Sequence, residues 1–288
     1  MKLIVDSGST KTSWRLQLES GAPFPIETIG VNPVRDDEEA VHQVIITAAR
    51  SFEREMPLFR HVDFTASSVT EIYFYGAGCL PPYSDVVRHS LSVAFPKAKS
   101  FVESDLLGAA RALCGHSEGI ACIMGTGSNS CLYDGERIVK NVSPLGWILG
   151  DEGSGAVLGR LFVGEVLKRQ FHKSLCTSFL KYHNLTQADI IDRVYRQPQP
   201  NRFLASLVPY ISRVQDDREV RPFLLREFRR FFKRNVQAYD RPDLPVNFVG
   251  GVAAAFEKIL REAVEKEKLT FGVIEKSPID KIYQYHCG

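Results

Sequence analysis

Two short segments of this chain carry residue types suited to holding a polyphosphate. Asp6-Ser7-Gly8-Ser9-Thr10-Lys11-Thr12 follows the apolar run Leu3-Ile4-Val5, and Gly125-Thr126-Gly127-Ser128-Asn129-Ser130 follows the run Ile120 to Met124. Each apolar run reads as a buried strand and each Gly/Ser/Thr stretch as a tight turn into a second strand. Such a turn exposes backbone N–H groups and small hydroxyls, the donors that phosphate oxygens need. Gly8, Ser9 and Thr10 are the phosphate-binding candidates in the first turn; Gly125, Thr126, Gly127 and Ser128 are those in the second. Lys11 either adds a positive charge there or points to solvent. Asp6 ends its strand where a carboxylate can hold Mg²⁺, an ion that takes few hard protein oxygens and keeps waters; its competing role is to cap the turn. No acid occupies the matching position in the second turn, so only the first is expected to supply a carboxylate. The pair of turns predicts two related lobes that hold one nucleotide between them.

Asp105 closes the strand-like segment Phe101-Val102-Glu103-Ser104 and opens a helix. A carboxylate there can take a proton from an attacking hydroxyl as a general base. It can equally cap the helix, since Asp is among the best N-cap residues, with Ser104 as the alternative cap. Glu103 is the other candidate base, but strand alternation points it away from the Ser104 face. Gly146-Trp147 and Asp151 read as sugar contacts: an indole packs on the apolar face of a pyranose, and a carboxylate accepts hydroxyl protons. Trp147 as a core residue is the competing reading. Asn129 begins the outgoing strand of the second turn, within reach of phosphate or sugar. Gly250-Gly251 follow a strand and open a helix, so an adenosine can lie against their backbone; close strand-to-helix packing is the alternative.

The elements that must position these residues repeat. Strands are expected at Lys2–Asp6, Ser13–Leu18 and Phe24–Ile29, the second with alternating Trp14, Leu16 and Leu18. A helix over Asp36–Glu55 opens on acidic residues that suit its dipole. Strand Glu71–Tyr75, helix Tyr83–Phe95, strand Ser100–Glu103 and helix Asp105–Cys114 follow, giving βββαβαβα. The second lobe repeats the order with strands Ile120–Met124, Asn129–Tyr133, Arg137–Lys140, Val246–Val249 and Thr270–Ile274, a helix Val252–Glu267 and a helical tail from Ser277. A mostly helical insertion, about residues 153–240, separates its third and fourth strands. The fold class is therefore α/β, with lobes at 1–115 and 116–288. The stretch Arg218 to Arg234 is dense in Arg and Lys, but Leu224, Phe228 and Phe231 lie at helical spacing, so it reads as an amphipathic insertion helix with a basic outer face.

Composition narrows the class. With 44% hydrophobic and 24% charged residues and a net charge of +2, the chain is ordinary for a globular protein, and nothing in the charge balance calls for a nucleic-acid partner. No run is long enough to span a bilayer, and Asp6 interrupts the N-terminal apolar stretch, so it does not read as a secretion signal. The six cysteines include no Cys-x-x-Cys pair, as expected of reduced thiols in the cytoplasm.

Asp6 to Thr12, Gly125 to Asn129, and above all Gly146-Trp147-Ile148-Leu149-Gly150-Asp151-Glu152-Gly153-Ser154-Gly155 resemble the N-acetylglucosamine kinase branch grouped with the BadF/BadG/BcrA/BcrD ATPases, within the actin, hexokinase and Hsp70 superfamily. The resemblance implies two ribonuclease H-like lobes and an ATP- and Mg²⁺-dependent kinase acting on an amino sugar, at the C6 hydroxyl of N-acetylglucosamine or a relative. It implies Asp105 as base, Ser104 and Asp105 beside the sugar, and Asn32 of Gly30-Val31-Asn32-Pro33 as a further sugar contact. A homodimer is also in keeping with it. Family members often have Gly where this chain has Ser7, which puts the shape of the first turn in question. BadF-type members instead activate a partner enzyme through a cysteine-held iron–sulfur cluster, for which the cysteine spacing here offers no obvious ligands. A non-catalytic sugar sensor is the third reading; both Asp6 and Asp105, whose loss would signal one, are present.

Overall fold

The computed structural model describes residues 1–8, 10–18, 22–60 and 64–288. The chain divides into two compact units, Met1–Gly115 with Pro278–Gly288, and His116–Ser277.

The first unit is built on β1 (Lys2–Ser7), β2 (Lys11–Leu16), β3 (Phe24–Ile29), α1 (Glu38–Arg60), β4 (Glu71–Gly76), α2 (Ser84–Ala94), β5 (Lys99–Ser104) and α3 (Asp105–Cys114). Its sheet runs β3-β2-β1-β4-β5, antiparallel among the first three strands in sequence and parallel from β1 through β4 to β5. Strand β1 is apolar on both sides, as a central strand covered on two faces must be. Leu3 and Val5 join Trp14, Phe52 and Phe74 on one face, while Ile4 joins Tyr75 on the other. Asp37 accepts the Ala40 N–H at 2.7 Å, which starts α1 at Glu38.

In the second unit come β6 (Gly119–Met124), β7 (Ser128–Tyr133) and β8 (Ile138–Asn141). The helices α4 (Gly146–Leu149), α5 (Gly155–Leu167), α6 (Lys173–His183), α7 (Gln187–Tyr195), α8 (Pro200–Ala205), α9 (Val208–Arg213) and α10 (Val220–Phe231) follow. Then come β9 (Pro245–Val249), α11 (Gly251–Ala255), α12 (Glu257–Lys266) and β10 (Thr270–Glu275). The sheet order β10-β9-β6-β7-β8 is the order of the first unit repeated. Both sheets thus have the arrangement of an actin-like lobe.

Three expectations need correction. The tail helix, α13 (Ile279–Cys287), packs on the first unit rather than the second. Its Ile279 and Ile282 bury against Ile4 and Tyr75, an apolar face that α3 leaves partly bare, and Arg15 pairs with Asp280 at 2.8 Å. Strand β2 begins at Lys11, because the Ser7 and Thr12 hydroxyls meet at 2.8 Å and extend the hairpin. The helix expected over Val252–Glu267 is broken at Phe256 (φ −117°, ψ 25°), whose side chain is fully buried.

The basic segment also resolves. Phe223, Leu224, Phe228 and Phe231 of α10 are buried, while Arg221, Arg229 and Arg234 pair with Glu262, Glu267 and Glu152 of the same unit. Among the described residues no helix is long and apolar enough to cross a membrane.

Candidate active site

In the first unit, the register aligns Ser7, Gly76 and Ser104 at the carboxyl ends of β1, β4 and β5. Ligands of open α/β sheets gather at that edge. Asp6 lies one residue inside it. Asp105 is the first residue of α3, and the N-cap is Ser104, whose hydroxyl accepts the Leu107 N–H at 3.2 Å. The capping role that competed for Asp105 is thus filled by its neighbour. Asp6 and Asp105 keep some solvent contact, yet protein surrounds both. Burial, and then the negative charge of Asp105, push Asp6 up to about 7 against the pull of Lys11. Burial raises Asp105 to about 6, outweighing the N–H groups of Leu106 and Asp105 itself. Asp6 therefore feels the charge of Asp105 in a desolvated place. Glu103, the rival base, is exposed on edge strand β5.

Around this pair, Gly8 N–H donates to Lys11 C=O at 3.0 Å to close the first turn, and Thr10 is exposed on it. Ser9 lies outside the described residues. Ser7, the departure from the family pattern, is buried; its hydroxyl meets Thr12 and lies 3.2 Å from the Val31 carbonyl, so it fills an internal slot. Lys11 pairs with Glu27 at 2.6 Å, both side chains more than half exposed, an ion pair worth about 0–1 kcal/mol. Asn32 accepts the Val34 N–H through Oδ1 at 3.1 Å and packs on Gly78. At Gly78 (φ +76°) a Cβ would stand 2.4 Å from that oxygen, so glycine is what lets Asn32 sit there. Among the described residues the Asn32 amide nitrogen has no partner, which leaves it available to a ligand oxygen.

The second unit gathers its own set. Gly125 N–H donates to Gly127 C=O at 2.9 Å, while the first N–H groups of α5 meet the turn from behind, Gly155 to Gly125 C=O at 2.8 Å and Ala156 to Thr126 C=O at 3.0 Å. The Ser128 hydroxyl turns inward to the Glu152 carbonyl at 2.8 Å. Asn129 Oδ1 accepts from Ser130 N–H and Asn141 Nδ2, both at 2.9 Å. Asp151, at φ +49°, lays a carboxylate oxygen 3.1 Å from where a Gly127 Cβ would be. Burial raises this carboxyl to about 6 although the Ser128 N–H pulls it down. The second turn itself carries no acid, but the fold brings the Asp151 carboxylate to it from a later loop. Gly250 abuts the same turn, with Gly251 exposed beside it. Trp147 in α4 is half-buried against the unit's core, and Gly146 (φ +72°) opens that helix.

Sequence reasoning missed what holds Asp151. The neighbouring Glu152 is 7% exposed; it meets Arg234 Nε at 2.8 Å and Asn235 Nδ2 at 3.3 Å. Nothing in the local pattern marks partners so far along the chain. Glu152→Ala removes the buried carboxylate while Asn235 Nδ2 keeps the Phe231 carbonyl at 3.1 Å, and is expected to cost about 1 kcal/mol. Arg234→Ala leaves the Glu152 carboxylate buried without its cation and is expected to cost more, about 2 kcal/mol; urea denaturation of both variants checks the order.

A solved protein of Porphyromonas gingivalis, provisionally named an N-acetylglucosamine kinase, matches the chain at 48% identity, 99% of this chain and 98% of that one, with a TM-score of 0.90. The chain belongs to the N-acetylglucosamine kinase-like branch of the actin-like ATPases. Solved proteins of lower identity share the fold: a Chromobacterium violaceum protein of the same provisional name superposes with a TM-score of 0.75 at 22% identity, covering 99% of this chain and 98% of that one. A glucokinase of the ROK family from Streptomyces griseus, solved with glucose and AMPPNP, superposes with a TM-score of 0.57 at 14% identity, covering 99% and 96%. No protein-family model and no curated protein matched the chain.

Among the described residues no three or more His, Cys, Asp or Glu side chains converge as a metal cage. Mg²⁺ does not need one, since one or two carboxylates with phosphate oxygens and water suffice. Asp6, strained by burial and by Asp105, fits a divalent cation that would relieve both.

Proposed function

We propose that this protein is an ATP-dependent amino-sugar kinase that phosphorylates N-acetylglucosamine or a close relative on its C6 hydroxyl. The observation that carries this is Asp105: a carboxylate at a strand-to-helix junction, relieved of capping by Ser104 and beside a second carboxylate, Asp6. In the ionised form Asp105 accepts the C6 hydroxyl proton. The sugar oxygen bonds to the γ-phosphorus, the bond from that phosphorus to the bridging oxygen breaks, and ADP leaves with the electron pair. The N–H groups of Thr10, Thr126 and Gly127 are assigned to phosphate oxygens, those of Gly8, Gly125 and Ser128 being taken up within the turns by Lys11 C=O, Gly127 C=O and Asp151, with Lys11 able to exchange Glu27 for a phosphate oxygen. Asp6 would hold Mg²⁺, which supplies positive charge to those oxygens. Asn32, Ser104, Asn129, Gly146, Trp147 and Asp151 are assigned to the sugar, and Gly250 and Gly251 to adenosine. The cysteines, none of which is in a disulfide among the described residues, support a reducing compartment, the cytoplasm.

The position of transfer is tested with 6-deoxy-N-acetylglucosamine. It is expected to compete with the natural sugar yet give no phosphorylated product by ³¹P NMR. A phosphorylated 6-deoxy product would move the reaction to another hydroxyl.

A further inference from the structure

Helix α3, which begins at Asp105, lies directly on Tyr75. A Cβ at Gly108, one turn along α3, would stand 2.8 Å from Tyr75 Cβ and Cγ, so only glycine lets the helix come so near. Tyr75 is itself fully buried and is the register partner of Asp6 in β1. Its ring thus supports the strand that carries one carboxylate and the helix that carries the other.

The phenol is held at both sides. Arg111 Nη1, from the far end of α3, donates to Tyr75 Oη at 2.6 Å, and Tyr75 Oη meets His286 Nε2 at 2.7 Å. Arginine can only donate, so the phenol accepts from Arg111, and with His286 as the Nδ1–H tautomer it gives its own proton to Nε2. Burial, with the charges of Arg111 and Lys2, keeps His286 down at about 4, the neutral acceptor that this chain of bonds requires. The His286 ring stacks on Tyr73 at 3.8 Å between centroids, and its carbonyl accepts from Lys2 Nζ at 3.0 Å. The imidazole is therefore held by Tyr75 and Tyr73 and its backbone by Lys2, and the residue comes from α13, the last helix of the chain.

We propose that Tyr75, Arg111 and His286 position Asp105 for proton transfer, so that α13 serves the reaction although none of its residues touches substrate. The proposal rests on the reading of Asp105 as base. A hydrogen-bonded chain of this kind fixes a helix more tightly than its separate bonds would, and a displacement of about 1 Å at a reacting group can cost up to about a hundredfold in rate.

Tyr75→Phe removes one oxygen and keeps the ring under Gly108. Its kcat is expected to fall about tenfold, with KM for sugar and for ATP within about twofold of wild type and an unchanged circular dichroism spectrum. His286→Ala should behave alike. His286→Gln, whose carbonyl can accept from the phenol, should recover most of the loss. The double variant Tyr75→Phe/His286→Ala should fall no further than either alone, because one chain of bonds is being cut. In parallel, the titration midpoint of Asp105, followed by ¹³C NMR of labelled carboxylates, should move in Tyr75→Phe. A wild-type kcat in Tyr75→Phe, or an unmoved midpoint, overturns the proposal. A wild type that shows no sugar-dependent turnover defeats the kinase reading instead, and the midpoint then decides the positioning role alone.

Discussion

Asp105→Asn is expected to lower kcat for sugar phosphorylation about a thousandfold while leaving sugar binding within a few-fold of wild type. Positioned general bases contribute about 10²–10⁴ in rate, and the amide keeps the size and hydrogen-bonding capacity of the carboxylate without its basicity. The same variant should be more stable than wild type at neutral pH. Burial raises the Asp105 pKa from its ordinary 3.8 to about 6, and burial together with Asp105 raises Asp6 to about 7. An unfolded chain would ionise both near 4. As pH rises from about 4 to about 7 the unfolded state sheds these protons first, so folding stability from this pair is lost over that window and is flat above it. Asp105→Asn removes part of that cost. It should gain on the order of 2 kcal/mol at pH 8 and nothing at pH 4, read from denaturant midpoints at the two pH values. Activity runs the other way: the base must be ionised, so wild-type kcat/KM should rise with pH through the region of 6 to 7, reporting the coupled pair rather than either residue alone. Equal turnover of Asp105→Asn and wild type would remove Asp105 from the chemistry.

Gly250→Ala should be strongly damaging to the second unit. Gly250 sits at φ +128°, and an added Cβ would lie 2.3 Å from the Met124 carbonyl oxygen and 3.3 Å from Gly125 N. Both obstacles are backbone of β6 and the turn that follows it, so neither can rotate aside. Backbone strain of about 1–3 kcal/mol and a similar overpacking term point to a loss of about 3 kcal/mol or more. That loss would be visible as a thermal midpoint lower by roughly 6 °C or more. Gly251→Ala is the control that separates packing from ligand contact. Nothing lies within 4 Å of its Cβ position, so the fold should be unaffected. If adenosine rests on this backbone, the KM for ATP should still rise several-fold. An unchanged KM for ATP in Gly251→Ala would send the nucleotide elsewhere.

Much of this was legible because the periodic signals were strong. The doubled glycine turns, the strand alternation around Trp14 and the apolar runs at Leu3–Val5 and Ile120–Met124 lead directly to two sheets of one topology. What stayed hidden depended on contacts between residues far apart in the chain. Asp151 reaches the second turn only because its own backbone takes a left-handed conformation and Gly127 has no side chain. Glu152 is fixed by Arg234 and Asn235 from the end of the insertion. The tail reads as an ordinary amphipathic helix, and no local pattern says that Ile279, Ile282 and His286 belong against Ile4 and Tyr75. The choice between Ser104 and Asp105 as cap is a matter of one residue in the start of α3, and helix boundaries are uncertain by about that much from sequence.

Sugar-dependent ADP release tests the central claim most directly. The purified protein, supplied with Mg–ATP, is offered N-acetylglucosamine, glucosamine and N-acetylmuramic acid in turn, with Asp105→Asn run beside it. At least one of these sugars should raise ADP release well above the sugar-free rate in the wild type and leave the variant near background. ADP release that no sugar increases would contradict the assignment of this site to sugar phosphorylation.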